Sequence, residues 1–321
     1  MKEVVITDAL VRNYDPTHTT TLRNAFAQDM KRRFTELVKT VRKAVDAEDC
    51  FNLRNDNIQV HQMTTPVAGA FNFEQSAEKL EAFMKWLQVQ VDRGILDIGT
   101  YQQIGSGVYA EWTNLYIFDS YKRGVIRARS ELRKAGLDIP SIEDSGGIDV
   151  VMNLPFHLDR VGLLFTRVYN DLKGITAAMD MQISRVLAQG MANGDGAALL
   201  ARKLVATING TGMGDLAIKD TLGRFIPAMD RAVLLARTEI IRAHHVATIQ
   251  EYRNWGLEGV VVKAEWSTAG DDRVCELCAA LEGKVFTLDE IEPMIPLHPN
   301  CRCCALPYIE DVEKIMKGVW N

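Results

Sequence analysis

Apolar positions recur by threes and fours along most of the chain, the period of helices with one buried face. From about Thr21 to Ala47 the stripe is Phe34, Leu37, Val38, Val41 and Val45. It returns near Ser76, where Leu80, Phe83, Met84, Leu87 and Val91 share a side up to Gly94. A third run, Trp112 to Ala135, carries Leu115, Phe118, Tyr121, Val125 and Leu132 and stops at Gly136. Val161, Phe165, Val168, Leu172, Ile175 and Met179 then alternate steps of four and three, a coiled-coil-like seam. Gly190 and Gly194 follow that seam, so a packed helical hairpin is expected rather than a free coiled coil. Residues 197–208 add a helix through Leu200, Leu204 and Ile208, closed by Asn209-Gly210. The last long helix is expected from about Pro227 to Trp255, with a buried stripe of Val233, Ala236, Ile240, Ala243 and Ala247.

Beyond Gly256 and Gly259 the period changes. Strands are predicted over Val260–Trp266, Gly283–Thr287 and Cys303–Tyr308, with Trp266 as the lid of a minimal core. The fold class that results is mainly α with a small C-terminal zinc-stapled β module, an α+β arrangement. Four segments are expected: an N-terminal helical region over 1–140, with an extended arm near 50–75; a helical body over 148–255; a zinc-binding β module over 256–312; and a tail over 313–321. The arm is proposed because residues 50–73 lack a period and are rich in Asn, Gln and Thr. The turn-rich run from Ile139-Pro140 to Gly146-Gly147 marks the first boundary. Residues 95–110 read as a connector of unassigned structure. The glycine-rich stretch 210–223 lacks the Gly-Lys-Ser/Thr of a phosphate loop.

Composition narrows the function. The chain has 321 residues, 47% of them apolar and 25% charged, enough for two or three structural units. No apolar run reaches membrane-span length and no signal-peptide core opens the chain, so no membrane partner is expected. Without an export signal the cysteines should stay reduced. A net charge of −5 argues against a protein that coats nucleic acid. Basic residues do gather on two helices, Lys31, Arg32, Arg33, Lys39, Arg42 and Lys43 on one, Lys122, Arg123, Arg127, Arg129, Arg133 and Lys134 on the other. A solvated helix face is the preferred reading of both; contact with DNA or an acidic partner is the sharper one.

The most specific chemistry lies near the C-terminus. Cys275-Glu276-Leu277-Cys278 is followed, after nineteen residues, by His298-Pro299-Asn300-Cys301-Arg302-Cys303. Two short clusters of soft ligands, each able to aim two donors at one point, are the spacing of a closed structural zinc site. The expected ligands are Cys275, Cys278, His298 and Cys301, with Cys303 as the alternative fourth ligand. Cys304 should face the other way if the stretch is a strand. Neither HExxH nor a zinc-deaminase HxE occurs, and the site is read as closed rather than catalytic. Arg237 and Glu239 are expected to dock their helix onto the zinc module through charge-assisted hydrogen bonds. His244 and His245, about 100° apart on a helix, are expected to pack rather than share a metal. Asp271 and Asp272 are expected to cap the knuckle or orient Arg273.

In order, Ala236-Arg237-Thr238-Glu239 with Arg242, Tyr252, Gly256, Trp266, Asp271-Asp272-Arg273-Val274-Cys275, Cys278, Gly283 and His298 through Cys303 resemble the phage Mu F-like head morphogenesis family, minor capsid proteins of tailed bacteriophages. The match covers roughly the last 85 residues. The preceding body, including Gln189 through Gly194, resembles the family less specifically. The resemblance implies a virion protein, made in the host cytoplasm and present in several copies per particle, at the portal vertex or capsid interior. Its partners would be the portal protein and the inner capsid shell, with contact to packaged DNA or ejection with it. Some relatives carry a further C-terminal toxin or ADP-ribosyltransferase domain; with the chain stopping at Asn321, that activity is not expected. A structural assembly component, not an enzyme, is therefore the first expectation. The alternative is a zinc-dependent enzyme or effector acting on nucleic acid, which would need an open metal position.

Overall fold

A computed structural model describes residues 15–53, 77–97, 102–104, 108–210, 226–256 and 262–309. The expected arm lies outside these residues beyond Leu53, as do the glycine-rich stretch beyond Gly210, the first two residues of the strand predicted from Val260, and the tail over 313–321. Most of the described residues are helical, and contacts divide the chain into two units whose segments interleave along the sequence.

The first unit draws on Met1–Ala25, Gln102–Arg167 and Ala236–Asn321. The unassigned connector contains a short antiparallel hairpin here, β1 (Gln102–Ile104) with β2 (Val108–Ala110). Helix α3 (Trp112–Lys134) ends where the sequence withdraws it. Gly136 takes φ +97°, the Gly136 amide donates to Arg133 O at 3.0 Å, and the Leu137 amide donates to Leu132 O at 3.1 Å. These two bonds satisfy the last carbonyls in a Schellman termination. The buried seam of α3 centres on Ile117, Tyr121, Val125, Ala128 and Leu132, while Leu115 and Phe118 are only half-buried. After the boundary loop come α4 (Ile148–Met152) and the start of α5 (Pro155–Ala192).

Helix α7 (Ala228–Trp255) departs from the single stripe expected of it. Between Glu239 and Tyr252 nearly every position is buried, polar ones included. The cause is cover on two sides. On one, α3 comes so close that Ser120 Oγ donates to Ile240 O at 2.6 Å, and a Cβ on Gly124 would collide with His244 O and lie 2.8 Å from the Ala247 methyl. On the other, His245 Nε2 meets Ile291 O at 3.1 Å. A helix covered twice cannot keep a polar face, so its periodicity is weak.

The C-terminal sheet has the order β4-β3-β5, all antiparallel, from β3 (Val262–Ser267), β4 (Val285–Phe286) and β5 (Cys304–Ile309). The short helices α8 (Glu276–Ala279) and α9 (Leu288–Ile291) flank β4. Val262, Ala264 and Trp266 alternate inward along β3. Trp266 is not a lid: it is fully buried in one core with Ala128 and Leu132 of α3, Ile249 and Tyr252 of α7, and Cys278, Cys301 and Cys303 of the knuckles. The sheet lacks enough apolar area of its own and completes its core with helices.

The second unit draws on Phe26–Tyr101 and Val168–Leu235. Helix α1 (Thr20–Arg42) continues through a π-helical turn to Ala47, with Phe34, Leu37, Val41 and Val45 buried. Helix α2 (Ala77–Val91) likewise runs past Gly94 to Leu96. Phe51 stacks on Phe83 at 5.1 Å, and the buried Lys79 ammonium donates to Phe51 O. The expected helical hairpin is α5 followed by α6 (Ala197–Asn209). Gly190 allows that turn, since a Cβ there would lie 2.6 Å from Leu200 and 2.9 Å from Asp195. Of the heptad seam, Val161, Val168, Leu172 and Met179 are buried.

Candidate metal centre

The donors of the two knuckles lie near one another, in two overlapping groups of three. Cys275 precedes α8, and its sulfur accepts the Cys278 amide at 3.4 Å, which folds the first pair of donors inward. In the second knuckle the Cys301 amide donates to His298 O at 3.1 Å, and Asn300 takes φ +61°, a left-handed turn that asparagine tolerates. His298 Nε2 lies 3.2 Å from both Cys275 Sγ and Cys278 Sγ. Cys275, Cys278 and His298 form one group of donors within 4.8 Å of one another; Cys278, Cys301 and Cys303 form another. Cys278 belongs to both.

These donors fit zinc. Tetrahedral Zn–S and Zn–N bonds place neighbouring sulfur and nitrogen about 3.6 Å apart, within a few tenths of an ångström of the spacing here. His298 Nδ1 is 2.8 Å from Pro299 O, a contact that puts the proton on Nδ1 and leaves the Nε2 lone pair pointing at the sulfurs. Cys301 and Cys303 are close neighbours within the second group. The hydrogen bond from Cys303 pulls the Cys301 thiol down to about 5 and, in return, pushes Cys303 up. Cys304 points elsewhere, as the strand alternation requires: its sulfur lies 3.4 Å from Arg127 Nη2 on α3, and burial raises its pKa.

The charged residues around the knuckles behave differently from expectation in one respect. Docking of α7 onto the second knuckle runs through Thr238, whose Oγ1 accepts the Asn300 amide at 3.2 Å. Glu239 turns instead to Arg242 at 3.0 Å and Arg167 at 3.3 Å, and Arg237 has no ion-pair partner among the described residues. Asp271 does orient Arg273, accepting its amide and its guanidinium, and it also receives Arg302 at 2.6 Å. Those bonds, Arg302 foremost, hold the Asp271 carboxyl far below its ordinary value. His244 and His245 are buried and outside both donor groups; burial lowers both, His245 to about 4.

The basic helices are largely neutralised in place. On α1, Arg32 pairs with Asp29, Arg33 with Asp97, Lys39 with Glu36 and Lys43 with Glu48. On α3, Lys122 and Arg123 pair with Asp119, Arg127 with Glu131, and Arg129 is buried against Glu251 at 2.7 Å. The solvated-face reading therefore holds for most of these residues, and Arg129 is a core residue.

Glu251 belongs to a network that sequence reasoning missed. His157 Nε2 lies 2.9 Å from Glu251 Oε1, Tyr121 Oη lies 2.9 Å from His157 Nδ1, Trp255 Nε1 donates to Glu251 Oε2, and Arg129 Nη1 donates to Ser145 Oγ. Burial alone would raise the Glu251 carboxyl, but the hydrogen bonds from His157 and Arg129 outweigh it and lower it. With His157 and Glu251 fully buried, the network serves packing. Its members are spread from residue 121 to 255, so no local motif announces it.

Residues 181–306 match the family model described as phage Mu protein F like protein. This segment is similar to the phage Mu F-like family. The match starts within α5 and ends in β5, so it takes in α6, α7, the sheet and both knuckles, and it bears out the resemblance. The Mu F-like family is one of structural phage head morphogenesis proteins. No match is found among curated proteins or among solved structures. Among the described residues, no helix is long and apolar enough to cross a membrane.

Proposed function

We propose that this protein is a minor capsid component of a tailed bacteriophage that acts in head morphogenesis. It sits at the portal vertex and capsid interior, in several copies per particle, without enzymatic turnover. The match of residues 181–306 to the phage Mu F-like family carries this reading. Within it, Cys275, Cys278, His298 and Cys301 hold a single structural zinc ion, and Cys303 donates to the Cys301 sulfur from outside the coordination sphere. The bond between the Cys301 amide and His298 O supports that choice, because it makes these two donors the jaws of one knuckle. Zinc would supply folding free energy to a β module with few apolar residues of its own. The closed donor set, with four protein ligands, leaves no position for substrate.

Quantitative mass spectrometry of purified proheads and mature particles tests the assembly role. A low, fixed ratio to portal protein in both particles is expected. Absence from both would sink the reading and bring a soluble zinc effector forward.

A further inference from the structure

The knuckles carry one donor more than a tetrahedral ion can take. Cys275, Cys278, His298, Cys301 and Cys303 fall into two groups of three, and within each group the donor atoms lie no more than 4.8 Å apart. The groups meet at Cys278 and differ in burial. Cys278, Cys301 and Cys303 are 2%, 1% and 3% exposed, whereas Cys275 and His298 are only half-buried. Cys303 is aimed at the donors by its neighbours. Arg302 turns out to Asp271, whose Oδ2 accepts Arg302 Nη1 at 2.6 Å, and in an extended stretch the residues before and after it face the opposite way. Cys304 turns off to Arg127 at 3.4 Å, so the sulfur that joins Cys301 at the site is that of Cys303.

Zinc held by Cys275, Cys278, His298 and Cys301 leaves Cys303 as a fifth donor, within 4.8 Å of two of the ligand sulfurs. Four thiolates close a structural zinc site as well as three thiolates and an imidazole do. Among the four ligands His298 is the one that can be spared. It is half-buried, it belongs to the outer group, and the exposed Pro299 and Asn300 follow it. Its turn is tied to α7 by the Asn300 amide, which donates to Thr238 Oγ1 at 3.2 Å. We propose that Cys303 is a reserve zinc ligand that takes the place of His298, giving the ion a second ligand set of Cys275, Cys278, Cys301 and Cys303. This rests on the zinc reading above and deepens it. The exchange frees the exposed turn from His298 to Asn300 while the buried sulfurs keep the ion, so the β module stays closed when that turn moves.

The test uses the full chain loaded with Co2+ in place of zinc, because thiolate-to-cobalt charge transfer reports how many sulfurs touch the ion. Metal content by mass spectrometry and circular dichroism accompany every variant. The parent and Cys303→Ser should both hold the ion with the absorption of three thiolates. His298→Gln should keep the ion and gain about a third in that absorption, as three thiolates become four. The double variant His298→Gln with Cys303→Ser should bind at least about tenfold more weakly than either single variant. Loss of the ion or of the fold in His298→Gln, with both kept in Cys303→Ser, overturns the proposal. So does a three-thiolate spectrum in His298→Gln, or equal affinity of that variant and the double variant. A parent that already shows four thiolates overturns it too, because Cys303 is then a resident ligand, and the zinc reading survives with that change. A parent that takes up neither cobalt nor zinc overturns the zinc reading itself and the proposal with it.

Discussion

Thr238 Oγ1 accepts the backbone amide of Asn300 at 3.2 Å, so one hydroxyl on α7 fixes the turn that presents His298 and Cys301 together. Asn300 holds a left-handed conformation there, and its amide points away from the knuckle's own carbonyls toward the helix. Thr238→Val keeps the shape and removes the acceptor. A loss of about 1 kcal/mol is expected, the usual net worth of one such bond. Urea denaturation measures it; an unchanged midpoint would mean the knuckle holds itself without the helix.

The cysteines separate by role. Cys301→Ser should release the zinc ion or weaken its binding severely, since the hydroxyl is a poor soft-metal ligand. Cys303→Ser should retain the metal, because the hydroxyl it introduces can still donate to the Cys301 sulfur. Cys304→Ser should also retain it, as that sulfur faces Arg127. Metal content by mass spectrometry, with limited proteolysis to detect opening of the sheet, decides the assignment. Loss of metal in Cys303→Ser with retention in Cys301→Ser would exchange the two ligands.

Gly124 marks the closest approach of α3 to α7. Gly124→Ala places a methyl against His244 O and Ala247, and backbone cannot yield as a flexible side chain would. The two helices must part, at a cost of about 1–3 kcal/mol or more. A fall in thermal midpoint without loss of zinc is the expected result. Stability equal to the parent would mean that the helices are spaced more widely than described.

Among the described residues, Glu251 is the one acid that pairs with both Arg129 and His157. Glu251→Gln leaves the Arg129 charge buried without its partner, which costs about 3–5 kcal/mol. The double variant Glu251→Gln with Arg129→Met should recover much of that loss, because removing both charges removes the desolvation penalty. Denaturant titration of the two variants checks the coupling; equal losses would show the network to be unimportant.

What could be read from the sequence follows the range of each interaction. The knuckles were legible because their ligands are local, and strand alternation was enough to set Cys304 apart. Helices α1, α3, α5 and α6 were legible because each buries one face. Reading α7 the same way failed: two neighbours cover it, so Glu251, which lies outside the expected stripe, is interior as well. The docking role expected of Arg237 and Glu239 failed for a related reason. Charge suggests affinity but not direction, and Glu239 found Arg167 far away in sequence while the neutral Thr238 faced the knuckle.

His245 makes stability sensitive to acid. Burial depresses it to about 4, against an ordinary histidine value near 6.5, and the bond with Ile291 O only partly offsets that. Between those values the unfolded chain binds a proton that the folded chain refuses. Stability is therefore fully present above about pH 6.5 and falls as the pH drops toward 4, with a limiting slope of about 1.4 kcal/mol per pH unit for this site. His244, buried and lowered as well, adds to the same trend. His245→Gln keeps a donor for Ile291 O and removes the titration. Denaturant midpoints at pH 7, 6 and 5 should fall more steeply for the parent than for the variant, and the difference isolates His245 from every other group that titrates. Parallel curves would mean that His245 is not depressed in the folded chain, with the nearby Glu292 carboxylate outweighing burial.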